Sequence, residues 1–183
     1  MIQFRIEHLR ETASTNSLVL ARARQGEPEG LVITVDYQTA GRGKPGRSWE
    51  SPAGKNLLFS VLLRPVIKPA EAPLLTQVAC RSVANVLKEK YDIHSVFKKP
   101  NDVITEGKKI CGILTEAISM GSQIEAVVIG IGLDVNASID ELPPGAVSMS
   151  ALTQKTYALE EVLDSILDEL KNQLRVFLKE SHA

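Results

Sequence analysis

Two short apolar runs, Leu31-Val32-Ile33-Thr34-Val35 and Leu57-Leu58-Phe59-Ser60-Val61-Leu62-Leu63, constrain this chain most. Turn formers precede each, Pro28-Glu29-Gly30 in one case and Pro52-Ala53-Gly54-Lys55-Asn56 in the other. Such runs read as buried, central strands of a sheet. The first delivers Gln38 into a stretch of opposite character, Gly41-Arg42-Gly43-Lys44-Pro45-Gly46-Arg47, with Ser48-Trp49 after it. Three glycines and three cations fall within those seven residues. Glycine lets backbone approach a ligand closely, and Arg and Lys bring charge with several N–H donors. The loop is suited to wrapping an anion, phosphate or carboxylate, and the same composition also fits a solvated basic surface loop. A nucleotide P-loop does not fit. Arg47 stands where its Lys belongs, Pro45 lacks an N–H that a phosphate cradle needs, and a strand-like run follows where a P-loop opens a helix.

Around this centre the chain reads as α/β. Residues 2–6 alternate as a short strand, and Ser14-Thr15-Asn16 precede a short helix that ends near Gly26. Helical spacing predicts a helix over 74–91, and a short strand follows at Ser95-Val96-Phe97. Lys98-Lys99-Pro100-Asn101-Asp102 then reads, on residue types alone, as a β-turn. Thr105-Glu106-Gly107-Lys108 turns a hairpin into the strand Lys109–Ala117. Gly121-Ser122 turns a second into Ile124–Gly132, whose glycines leave room for a flat ring or simply end a buried strand. A long amphipathic helix runs from Leu159 to about Lys179, as core packing or as an oligomer face such as a homodimer's.

The totals exclude several classes. A length of 183 residues favours one domain, and a formal net charge of −1 gives no global case for nucleic-acid binding. No apolar run nears the ~20 residues of a membrane span, and the charged N-terminus is not a signal peptide. Cys80 and Cys111 suggest neither a disulfide framework nor a metal pattern, and His8, His94 and His182 are scattered, so no zinc site is expected and the cytoplasm is the default compartment.

Five stretches of the sequence resemble motifs of the biotin protein ligases. The loop matches that family's Gly-Arg-Gly-(Arg/Lys)-x-Gly-Arg-x-Trp, and Ser14-Thr15-Asn16 matches its Ser-Thr-Asn triplet. Lys98, Pro100, Asn101 and Asp102 match Lys-Trp-Pro-Asn-Asp, with Lys99 in place of Trp. Lys109 to Glu116 meets Lys-x-x-Gly-Ile-Leu-x-Glu in full, and Gly130-Ile131-Gly132-Leu133-Asp134-Val135-Asn136 matches Gly-Ile-Gly-(Ile/Leu)-Asn-Val-Asn except at Asp134. The resemblance implies a mixed twisted sheet with helices on one side, related to class II aminoacyl-tRNA synthetases. It implies a two-step reaction with ATP and Mg²⁺: biotin is activated as biotinyl-5′-AMP, then transferred to a lysine of a biotin carboxyl carrier domain.

The resemblance also implies roles. Ser14, Thr15 and Asn16 would hold the biotin ring, and Gln38 would belong to the same ligand-binding set. Arg42 and Lys109 would meet the carboxylate and α-phosphate, and Gly41, Gly43, Lys44 and Arg47 the remaining anion, with Arg47 on the leaving pyrophosphate. Trp49 would cover adenine. Asn101 and Asp102 would lie near the reacting centre, where Asp102 would hold Mg²⁺ or receive the attacking amine's hydrogen bond. Gly112, Gly130 and Gly132 would allow close approach, and Asp134 would face adenine with weaker ATP binding unless protonated. The family's N-terminal DNA-binding module and C-terminal β-barrel have no counterpart in these residues, so a single catalytic domain over 1–183 is expected. Two other readings remain: a lipoate or octanoate ligase or transferase of the same fold, and a non-catalytic biotin- or nucleotide-binding relative.

Overall fold

The computed structural model describes residues 2–121 and 123–180, so Ser122 of the second hairpin turn and His182 lie outside it. Strand β1 (Arg5–Thr12) leads through helix α1 (Thr15–Arg24) to β2 (Leu31–Gln38) and β3 (Leu57–Leu63). Helix α2 (Ala72–Tyr91) precedes β4 (Val96–Lys98), β5 (Asp102–Thr105), β6 (Lys108–Met120) and β7 (Gln123–Leu133). A one-turn-and-a-half helix α3 (Met149–Thr153) and the long α4 (Leu159–Glu180) complete the order. The strands form one sheet in the order β1-β2-β3-β7-β6-β5-β4, with β1 and β2 parallel and the other pairs antiparallel.

The helices cover both faces of the sheet, which corrects the expectation of one. Leu57, Phe59, Val61 and Leu63 of β3, with Val127, Ile129, Ile131 and Leu133 of β7, pack into the larger core with α2 and α4. The intervening Leu58 and Leu62, with Ala126 and Val128, pack on Val19, Leu20 and Ala23 of α1. Successive side chains of a strand point to opposite faces, so a run with no polar side needs two covers.

The first strand is also longer and later than its alternation indicates. Most of β1 is exposed on this sheet edge, so its charged residues Arg5, Glu7, His8, Arg10 and Glu11 mask the pattern, and Glu11 and Thr12 are strand rather than helix entry. The β5–β6 hairpin turns through Glu106 at φ 50° and Gly107 at φ 77°; the glycine suits that conformation, whereas Glu106 takes one uncommon for its type.

Candidate active site

The seven residues of high glycine and charge fold as a hairpin. Trp49 N donates to Gly41 O and Gly43 N to Arg47 O, each at 2.9 Å, and Arg42 bridges Ser48. The tip is Lys44-Pro45-Gly46-Arg47, closed by Arg47 N to Lys44 O at 2.8 Å, with Gly46 at φ 79°. Proline second and a positive-φ glycine third is the signature of a type II turn. At the base, a Cβ on Gly41 would lie 2.3 Å from the Trp49 carbonyl oxygen, so the two legs close only around a glycine.

This hairpin overhangs a cleft of about 390 Å³ at the ends of β6 and β7. Its floor is the start of α1. Ser14 is the N-cap, its hydroxyl accepting from Ser17 N at a long 3.5 Å. Thr15 N and Oγ1 both donate to Gln38 Oε1, at 2.8 and 3.1 Å. Asn16 Nδ2 donates to Leu114 O at 3.1 Å and Glu116 Oε2 at 2.9 Å. Beneath them the fully buried Ser60 hydroxyl lies 2.7 Å from Thr15 Oγ1 and 2.6 Å from Asn16 Oδ1. Gly130 is where Asn16 fits, since a Cβ there would fall 2.0 Å from Asn16 Oδ1. The glycine at this strand position thus makes room for the protein's own amide.

The flat ring beside the other two glycines is Trp49. Cβ atoms on Gly112 and Gly132 would approach it to 2.7 and 2.6 Å. The indole Nε1 is buried without a hydrogen-bond partner among the described residues. Lys109 Nζ lies 5.2 Å from the ring centroid and 2.8 Å from Asp102 Oδ1. The Lys109–Asp102 contact is a close ion pair outside hydrogen-bond geometry, and Asp102 Oδ1 is buried with no hydrogen-bond donor among the described residues. Lys99 lines the cleft with Lys98, but the cation paired with Asp102 is Lys109. Asn101 is held by its Nδ2 on Ile113 O at 2.7 Å.

Arg42, Lys44, Arg47, Lys98, Lys99 and Lys109 line the cleft against a single carboxylate, Asp102. On a chain of net charge −1 that is a local field of one sign, which concentrates anions. Among the described residues no three His, Cys, Asp or Glu side chains gather as a metal cage. The donor set fits Mg²⁺ only as a passenger on nucleotide phosphates, which supply most of its ligands in such sites. Neither thiol is a nucleophile: burial pushes Cys80 up to about 12 and Cys111 well above its usual value.

Of the residues singled out in the sequence, the cleft brings together Ser14, Thr15, Asn16, Gln38, Arg42, Gly43, Lys44, Arg47, Trp49, Asn101, Asp102, Lys109, Gly112, Gly130 and Gly132. Gly41 stands behind the lining, at the base of the hairpin. Asp134 is also outside the lining, buried just past β7, where Asn56 Nδ2 donates to its Oδ1 at 2.8 Å. Burial raises its carboxyl to about 8 against a smaller opposing pull from Lys109, so it is mostly protonated at neutral pH. Ser60 and Glu116 are the residues that sequence reasoning left without a role. Ser60 interrupts an apolar run, and Glu116 closes the Lys109 motif; those were the only signals.

A floor of hydroxyls and amides, a cationic rim and a glycine hairpin above them define a class: an α/β domain whose cleft is suited in shape and charge to a ligand with a neutral polar end and an anionic end. The chain belongs to the biotin/lipoate A/B protein ligase family, whose model matches residues 9–134. It is similar to the bifunctional ligase/repressor BirA of Bacillus subtilis, 37% identical over 131 residues, covering 72% of this chain and 40% of that one. It is likewise similar to the biotin--[acetyl-CoA-carboxylase] ligase of Mycobacterium tuberculosis, 32% identical over 169 residues, covering 90% of this chain and 62% of that one. The fold is that of biotin protein ligase catalytic domains. The Aquifex aeolicus enzyme in complex with biotin and ATP superposes with a TM-score of 0.81 at 31% identity, covering 96% of this chain and 72% of that one. The chain therefore spans less than half the length of the Bacillus relative.

Proposed function

We propose that this chain catalyses ATP-dependent biotinylation of protein, forming biotinyl-5′-AMP and passing the biotinyl group to a lysine of a biotin carboxyl carrier domain. The observation that carries this reading is the division of one cleft into two chemistries. Thr15 and Gln38, braced from beneath by Ser60, build a neutral hydrogen-bonding floor, and Arg42 and Lys109 stand among the cations that line the same cleft. Biotin has that polarity, with a ureido ring at one end and a carboxylate at the other.

In the first step a biotin carboxylate oxygen attacks the α-phosphorus of ATP, the bond to the β-phosphate oxygen breaks, and pyrophosphate leaves. Lys109, fixed between Asp102 and the Trp49 ring, would offset charge developing at phosphorus, and Arg42 would hold the attacking carboxylate. Lys44 and Arg47, which make no ion pair among the described residues, would receive the β- and γ-phosphates. Any Mg²⁺ would arrive on those phosphates. In the second step the acceptor lysine's amine attacks the acyl carbon, the mixed anhydride opens, and AMP leaves. Asp102 would take up the hydrogen bond of the incoming amine. The hairpin would keep water from the anhydride. The two unpaired buried cysteines suit a reducing cytoplasm.

The test is biotin-dependent exchange of labelled pyrophosphate into ATP, without acceptor. Exchange with biotin, reduced at least about a hundredfold in Lys109→Ala, is expected. Exchange with lipoate or octanoate alone would move the chain to the other branch of its family. Biotin binding without exchange would make it a binding protein.

A further inference from the structure

We propose that Glu116 is a positioning residue that fastens Arg42 of the hairpin to the start of α1, so that cation and polar floor move as one unit; this rests on the biotin ligase reading above. Glu116 sits on β6 opposite Val128, behind the cleft rather than in its lining. Its two oxygens are divided between the halves of the site. Oε1 pairs with Arg42 Nη2, and Oε2 accepts from Asn16 Nδ2 at 2.9 Å. Arg42 Nη1 completes the triangle on Ser17 Oγ at 2.9 Å.

The donor count explains what this arrangement does. Asn16 Nδ2 has two hydrogens, and Leu114 O and Glu116 Oε2 take both. Its Oδ1 already receives the Ser60 hydroxyl. The amide is therefore a brace with its donors fully used. Arg42 is the opposite case: two of its five N–H donors are engaged, and three remain for an anion. A pair with 40% and 27% of its side chains exposed adds little to stability. Its consequence is geometric, since Lys44 and Arg47, on the same hairpin, have no such anchor among the described residues. Arg42 also follows Gly41, whose carbonyl accepts from Trp49 N. Releasing Arg42 should thus loosen the strand pair that seats the indole.

Glu116→Gln in the full chain separates the two bonds. Its amide oxygen still accepts from Asn16, while the charge opposite Arg42 is gone. In pyrophosphate exchange the biotin KM should rise about tenfold, a loss of roughly 1.4 kcal/mol, with a smaller rise in the ATP KM and Tm unchanged. Trp49 is the chain's one tryptophan, so acrylamide quenching of its emission without ligand should increase. Ser17→Ala, which removes only the second anchor, should move both readouts the same way by a smaller factor. An unchanged or lowered biotin KM in Glu116→Gln would overturn the proposal, as would equal rises for biotin and ATP. If the wild-type chain exchanges no pyrophosphate with biotin, the functional reading fails by itself. Quenching then judges Glu116 alone: a more accessible Trp49 supports its role and an unchanged one overturns it.

Discussion

Asp134 shows how far one residue's meaning depends on which way it points. In the family pattern Asn stands at this position, and the substitution looks like the loss of a donor toward a base. Here the carboxyl is buried against Asn56 and raised to about 8 from 3.8. Between those values the native state holds a proton that the unfolded chain has released, so stability falls as pH rises through that window and levels off above it. Asp134→Asn keeps an oxygen for Asn56 and removes the titration. Its Tm should gain on the wild type progressively from pH 4 to pH 8, with ATP affinity unaltered because the residue does not line the cleft. A constant offset across that range would refute the assignment. Ser60 makes the complementary case. Ser60→Ala should leave the buried Asn16 Oδ1 without its donor, costing about 1–3 kcal/mol in denaturant unfolding and weakening biotin binding. Neither outcome was legible in the chain. A residue one step past a strand can face either way, and a serine inside an apolar run looks like an interruption until α1 is laid over it.

At the scale of elements, the hairpin over the cleft was the most legible part. Pro45-Gly46 fixes its tip by local sterics alone, and the same proline excluded the P-loop that the motif nearly spells. Gly46→Ala would place a side chain at φ 79°, where an L-residue costs about 1–2 kcal/mol, with nothing nearby to clash. Because nothing lies within 4 Å of that position, the strain is relieved by opening of the turn rather than of the domain, so Tm should change little while pyrophosphate exchange falls. A drop in Tm with full exchange would show that the turn serves the fold instead. The strands were legible in full where both faces are buried and only in part on the exposed edge: alternation marked a strand at residues 2–6, and the charges of β1 hid its continuation to Thr12. The role of Glu116 was not legible at all, because its partners lie 74 and 100 residues away in sequence.

For the whole molecule, the two covers of the sheet are unequal. Helices α2 and α4 share a core that reaches from Val32 to Leu174, whereas α1 is held by a cluster of ten buried residues. The first residues of that lightly held helix, Thr15 and Asn16, are the floor of the cleft. Occupying the floor therefore ties down the layer with the least burial of its own, and the free energy of binding adds to its resistance to opening. Amide hydrogens of α1 should exchange with deuterium sooner than those of α2 in the free protein, and slow selectively when biotin is added. Uniform slowing across both helices would mean that the two layers open together. On this account a ligand seated on the polar floor would act as a clamp on the lightly covered side of the domain, and recognition and local stability would rise together there.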